Sequence, residues 1–236
     1  MIHGNLLLSI ITAIVLLAHA SIGGGAQSPP LNLIPMYGYP DAVKTDAQKK
    51  SDDDFIKSAI AAEGSREKAA NAYAFSGMVY ATKGDAANAM RRYNQSWLLN
   101  PDSFQPYWGF GDLLLAQGKA AEAATHYEKA LSLINIESAK PQLLIDASGA
   151  YTALGSSANE KIKAEEFFGK ANSLLDEAIK INPKNGEAYR AWARSLYSEG
   201  NYAKAWEMAK TSRGLAGKEL SSDFINMLSN KMPEPK

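Results

Sequence analysis

The sequence predicts an all-α fold, an α-solenoid of about four helix–turn–helix units with a flanking helix at each end. Two observations carry this. Residues 72–101, AYAFSGMVYATKGDAANAMRRYNQSWLLNP, return in layout from Pro106 as PYWGFGDLLLAQGKAAEAATHYEKALSLIN. Gly77 and Gly111, Gly84 and Gly118, Ala89 and Ala123, and Tyr93 and Tyr127 each stand 34 residues apart. A fixed period of this size marks stacked supersecondary units. Within each unit the apolar and small residues keep helical spacing: Tyr73, Gly77 and Tyr80 fall at i, i+4 and i+7.

The chain begins with a segment of another kind. Residues 6–18, LLLSIITAIVLLA, form a 13-residue apolar run followed by Ala18-His19-Ala20. The run is short of the ~20 residues a membrane span needs, and small-x-small is a cleavage pattern. Residues 1–20 therefore read as a signal peptide, cut after Ala20 or after Ala26, with an uncleaved anchor as the alternative. The expected location is the periplasm or the exterior, with no membrane span after cleavage. Residues 21–44 follow as a flexible or extended segment. Within it, residues 31–41, LNLIPMYGYPD, are apolar and aromatic, and Pro35 and Pro40 oppose a helix. An extended course is expected, either covering part of the body or docking a partner.

Residues 45–64 read as the first flanking helix, with Phe55, Ile56, Ala59 and Ile60 on one face. The acidic run at Asp52, Asp53 and Asp54 suits a helix N-terminal region better than a divalent-metal site. Gly64 ends the helix and Ser65 caps the next. The array spans residues 66–217, with repeats near 70–103, 104–137, 141–183 and 186–217. In the first, Gly84 breaks the helix, Asp85 starts its partner, and Gly77 and Ala89 mark where two helices cross closely. Ser96 and Pro101 complete the unit. The second supplies Tyr107, Gly111, Leu114, Gly118, Ala123, Tyr127 and Ala130, with Asn135 at the closing position.

The third repeat has Leu144, Ser148, Tyr151 and Gly155 in its first helix and Ala171, Leu175, Ala178 and Pro183 towards the end of its second. Gly155 to Ala171 is 16 residues where the equivalent interval is 5, an excess of 11. That is close to three helical turns. Ser157 and Glu160 have capping-box spacing, so the second helix is predicted over residues 158–181, lengthened backwards and projecting past its neighbours. Phe167 and Phe168 near its base are expected to bury against the body. The fourth repeat has Tyr189, Ala193, Leu196, Gly200, Ala205 and Ala209, then Gly217 where a proline would close it. Residues 221–231 form a final helix capped by Ser221 or Ser222, with Phe224, Met227 and Leu228 on its apolar face. PEPK is a tail.

The order aromatic, small, aromatic, then alanine, aromatic, proline resembles the tetratricopeptide repeat over residues 70–217, most strongly in repeats one, two and four. The leader together with MYGYPD is similar to small exported bacterial proteins of that family. The resemblance implies a concave groove, lined by the first helix of each unit, that grips extended or helical peptides. Carried over position by position, Asn71, Ala74, Met78, Gln105, Trp108, Asp112, Leu115, Gln142, Ile145, Glu187, Arg190, Arg194 and Tyr197 face it. Met78, Trp108, Asp112, Leu115, Arg190, Arg194 and Tyr197 are the candidate partner-binding residues. The groove reads as apolar at the front and cationic at the back, where Arg190 and Arg194 are four apart and form a two-pronged anion site. The front, around Met78, Trp108 and Leu115, is the expected seat of residues 31–41. The family's carboxylate-clamp subgroup has Lys and Asn where this chain has Ala74 and Met78, so that role is not expected.

Composition narrows the chemistry. Cysteine is absent and acidic and basic residues balance at 25 each, excluding thiolate chemistry and a global field for nucleic acid or anionic lipid. Only His126 stands outside the leader among three histidines, too few for a histidine-based zinc site. No glycine-rich phosphate loop precedes a helix. Glu165-Glu166 and Asp176-Glu177 are adjacent pairs that point apart on a helix, and Arg91-Arg92 lacks interleaved stacking aromatics. No catalytic, metal or cofactor residue is assigned and no nucleic-acid partner is expected. The reading is a non-enzymatic protein–protein adaptor of the bacterial cell envelope that takes a peptide or protein segment. The alternatives are a structural homo-oligomer and an accessory protein holding cell-wall saccharide through Trp108 and Tyr197.

Overall fold

A computed structural model of the 236-residue chain describes residues 30–215 and 220–235. The proposed leader and Gly217 lie outside the described residues. The described residues are helical, without strand, and divide between Gly118 and Lys119 into two compact units.

The first unit holds α1 (Asp46–Glu63), α2 (Arg66–Thr82), α3 (Ala86–Leu99) and α4 (Phe104–Ala116). A reciprocal capping box starts α1: Gln48 N donates to Thr45 Oγ1, and Thr45 N donates to Gln48 Oε1 at 2.8 Å. The acidic run at Asp52 is therefore mid-helix, not at the N-terminus the sequence suggests. Two of its three carboxylates are held by lysines instead, Asp52 by Lys44 and Asp54 by Lys50 at 2.8 Å. Gly64, at φ +82°, ends α1, and Ser65 caps α2 by accepting from Lys68 N. Asp85 caps α3 through Asn88 N at 3.0 Å.

Tyr93 is the wedge of this unit. A Cβ at Gly77 on α2 would stand 2.6 Å from its ring, and one at Gly109 on α4 would stand 2.2 Å away. The ring thus takes the space two missing side chains leave. Gly109 lies outside the repeat pattern read from the sequence, which points to Gly111. Ser96 is buried and donates to Ala70 O at 2.9 Å, tying α3 to α2. At the front, Phe55 and Ile56 of α1 pack on a core of Ala59, Ala69, Ala70 and Leu99.

Residues 31–41 are not extended and do not lie on α2 and α4. They form two short turns against α3, a 3₁₀ turn at Leu31–Leu33 and a tight turn at Pro35–Gly38 whose Met36, Tyr37 and Gly38 are left-handed. Pro35 opens the second turn, where its missing N–H is no loss. The sequence rule against helix interiors does not reach a single turn.

The second unit holds α5 (Ala120–Leu133), α6 (Lys140–Ser157), α7 (Lys161–Ile181), α8 (Gly186–Glu199), α9 (Tyr202–Arg213) and α10 (Ser222–Lys231). Gly155 does not stop α6. It is an interior residue whose added Cβ would meet the Phe168 ring at 3.0 Å, so it marks a close crossing of α6 and α7. The extra length is shared. By alignment with the second repeat, α6 runs four residues beyond the point matching the end of α4. In the same register, α7 starts seven residues before the point matching the start of α5. Both connections remain three residues long. The predicted Ser157–Glu160 box is absent: Ser157 Oγ donates back to Leu154 O, and Glu160 caps α7 without a side-chain bond. Phe168 is buried, and Phe167 lies half-buried against Tyr151.

Leu144, Ile145, Leu175, Ala178 and Ala188 form one core where α6, α7 and α8 meet. Ala193, Leu196, Ala205, Trp206, Ala209, Leu220, Phe224 and Leu228 form the other. Ser221 caps α10 through Phe224 N. Met227, expected on the apolar face, is 49% exposed; Phe224 and Leu228, four apart, make the contact without it. The segment after α10 is tied down. Trp206 Nε1 donates to Met232 O at 2.9 Å, Arg213 Nη1 to Glu234 Oε1 at 2.7 Å, and Lys210 Nζ to Pro235 O.

Candidate protein-interaction face

In the first unit α2 and α4 adjoin. Asn71, Phe75, Met78 and Thr82 fall at i, i+4, i+7 and i+11 on α2, one stripe. Gln105, Trp108, Asp112 and Leu115 make the corresponding stripe on α4, all half-buried. Phe75 is 58% exposed. The sequence pattern misses it because it sits between the positions the repeat register names; its size, one turn after Asn71 and one before Met78, was the available signal. Trp108 is half-buried with its ring tilted against Phe104 at 6.4 Å. Asp112 lies near enough to Tyr93 to reinforce what burial does to that phenol, raising its pKa well above the ordinary value. Ala74, expected in the groove, is buried at 4% exposure and serves the core.

The second unit does not present the cationic pair expected from Arg190 and Arg194. Arg190 is buried, and its Nε and Nη2 donate to Glu187 Oε2 at 2.9 and 2.6 Å. A carboxylate one turn upstream neutralises it, and burial leaves it no second anion to grip. Arg194 is exposed. Tyr197 packs against Tyr202 and Phe224, each at 5.6 Å, so its ring belongs to the seat of α10 rather than to an open saccharide platform. Ile145 is core, and Gln142 donates to Asp146 at 3.0 Å.

The groups that could serve chemistry have structural employment. His126 is half-buried on α5, and burial pushes its pKa down to about 4. Glu165 faces Lys161, Glu166 faces Lys170, Asp176 faces Lys180 and Glu177 faces Lys140. These are surface ion pairs, three along a single helix and one between α6 and α7, and pairs this exposed contribute little to stability. Arg92 lies over the rings of Tyr73 and Tyr80 at 5.4 and 6.0 Å, and Arg91 donates to Asn88. Among the described residues no cluster of three acidic or histidine side chains could hold a metal ion, and no helix is long and apolar enough to cross a membrane.

The fold is that of tetratricopeptide-repeat proteins. TTC0263, a thermophilic protein of this repeat class from Thermus thermophilus, superposes with a TM-score of 0.59 at 16% identity, covering 70% of this chain and 84% of its own. Yeast Tom70 superposes with a TM-score of 0.54 at 14% identity, covering 85% of this chain and 46% of its own. No family model matches the sequence, and no curated protein is similar to it in sequence.

Proposed function

We propose that this chain is a non-enzymatic protein-interaction adaptor of the bacterial cell envelope, and that the α2–α4 face of its first unit receives a peptide or protein segment. The observation that carries this is the apolar stripe of Phe75, Met78, Trp108 and Leu115, with Phe75 more than half exposed. A large aromatic left in water on a rigid helix is the kind of residue that anchors an interface. Asp112 in the same stripe adds one polar fixing point. The helices beneath are held by Tyr93 filling against Gly77 and Gly109, so the stripe is preorganised and binding does not have to order it. The envelope location rests on the apolar leader of residues 6–18 and the small-x-small pattern after it.

Crosslinked capture from an envelope extract tests the reading, with the mature chain as bait. Phe75→Asp and Trp108→Ala should each reduce recovery of the captured protein at least tenfold while helical circular dichroism is kept. Arg194→Glu should leave recovery unchanged. Recovery indifferent to Phe75 and Trp108 would remove this face from the function.

A further inference from the structure

The segment before α1 contacts α3 in an unusual way. Asn94 on α3 is fully buried, and its amide is given over to the main chain of residues 32–37. Its Nδ2 donates to Asn32 O at 3.2 Å and Ile34 O at 2.8 Å, and its Oδ1 accepts from Tyr37 N at 3.4 Å. One side chain therefore reads three backbone groups and no side chain of the segment. Met36 and Tyr37 both adopt φ +53°. The left-handed region crowds Cβ against the following carbonyl. Two successive non-glycine residues persist there only where their surroundings over-determine the backbone. One turn on, Tyr39 stacks on Trp97 at 5.9 Å. Trp97 Nε1 in turn donates to the Tyr107 hydroxyl at 3.0 Å, fixing the indole from beneath.

Towards α1 the segment's contact is of another kind. A cleft lined by Leu31, Asn32, Tyr37, Gln48, Ser51 and Asp52 separates the two. It is bridged at the near end by Lys44, which pairs with Asp52 and stands 4.1 Å over the Tyr37 ring. Residues 42–45 have no regular structure, and Val43 is 88% exposed.

We propose that the α3 face carrying Asn94 and Trp97 is a second peptide-binding site, that it reads the main chain of a proline-bearing apolar peptide, and that residues 31–39 are its cis ligand. The carbonyls and the amide of any peptide holding this turn satisfy every bond the Asn94 amide makes to the segment, and they do so out of water, where such bonds are strongest. Trp97 supplies the aromatic anchor at the far end. The site is separate from the α2–α4 stripe.

The test uses the full mature chain with a specific protease recognition sequence inserted between Ala42 and Val43, cut after folding. The released N-terminal fragment should stay bound through gel filtration and be seen in the complex by native mass spectrometry. Excess fluorescent peptide of residues 30–42 should exchange into the nicked protein with saturation, and a peptide of scrambled order should not. Asn94→Asp removes both donations and sets a carboxylate against two carbonyls, so exchange should weaken at least tenfold. Asn32→Ala in the peptide changes an exposed side chain and should leave binding within twofold. If Asn94→Asp does not fold, the two peptides on the nicked wild type still decide. A fragment lost at once from the nicked wild type, or scrambled peptide binding as well as native, would overturn the proposal.

Discussion

Glycine at a helix crossing has a direction of effect that depends on what its missing Cβ would meet. At Gly109 that atom would lie 2.2 Å from the Tyr93 ring, which also fills the space beside Gly77. Gly109→Ala must displace a buried tyrosine, and thermal melts should show a loss of about 1–3 kcal/mol. Gly169 on α7 is helical and faces open space. There Gly169→Ala should raise the melting temperature, because alanine is better than glycine in a helix by about 1 kcal/mol. His126 gives a pH dependence. Burial holds its folded pKa at about 4, below the ordinary 6.5, so between these values the unfolded chain binds a proton the folded chain does not. Stability from this residue is full above pH 6.5 and declines as the pH falls towards 4. Melts at about pH 7, 6 and 5 should therefore decline less steeply in His126→Gln than in the wild type.

At the scale of elements, Arg190 is the residue to change. Reversing it sets a second carboxylate beside Glu187 in a buried place. Arg190→Glu should cost about 3–5 kcal/mol, read by urea unfolding, whereas Arg194→Glu should be neutral. The helices and their pairing are legible in the sequence because a 34-residue interval repeats four times over between Gly77 and Tyr127. What fails is the meaning of individual symbols. A glycine that stops a helix and one that admits a ring are the same letter, so spacing matches Gly155 to Gly84 and Gly118 although Phe168 lies against it. Arg190 and Arg194 share a face by spacing, yet spacing does not say that Glu187 has already taken one of them. The seat of residues 31–41 is hidden for a different reason. It depends on one buried amide, Asn94, inside a stretch whose periodicity speaks only of apolar residues. Phe75 and Gly109 escape because the repeat register names neither position.

For the molecule as a whole, the envelope reading makes the exported chain begin at Ser21 or Gln27, which intact mass of secreted material measures; a retained Met1 would contradict it. Each described unit has its own packed helices, and neither relies on a disulfide, since the chain has no cysteine. Both units should therefore keep their helical circular dichroism in strong reductant. The long hairpin of α6 and α7 sets a rule for chain length. One helix carries four extra residues and the other seven, with the three-residue connection kept. At 3.6 residues per turn, these are about one turn and two turns. Each addition returns the apolar side of its helix to nearly the same bearing. Insertions at this tip are thus quantised: steps of four or seven preserve the register of everything downstream. A step of two would rotate a helix by about 200° and turn its buried side to water.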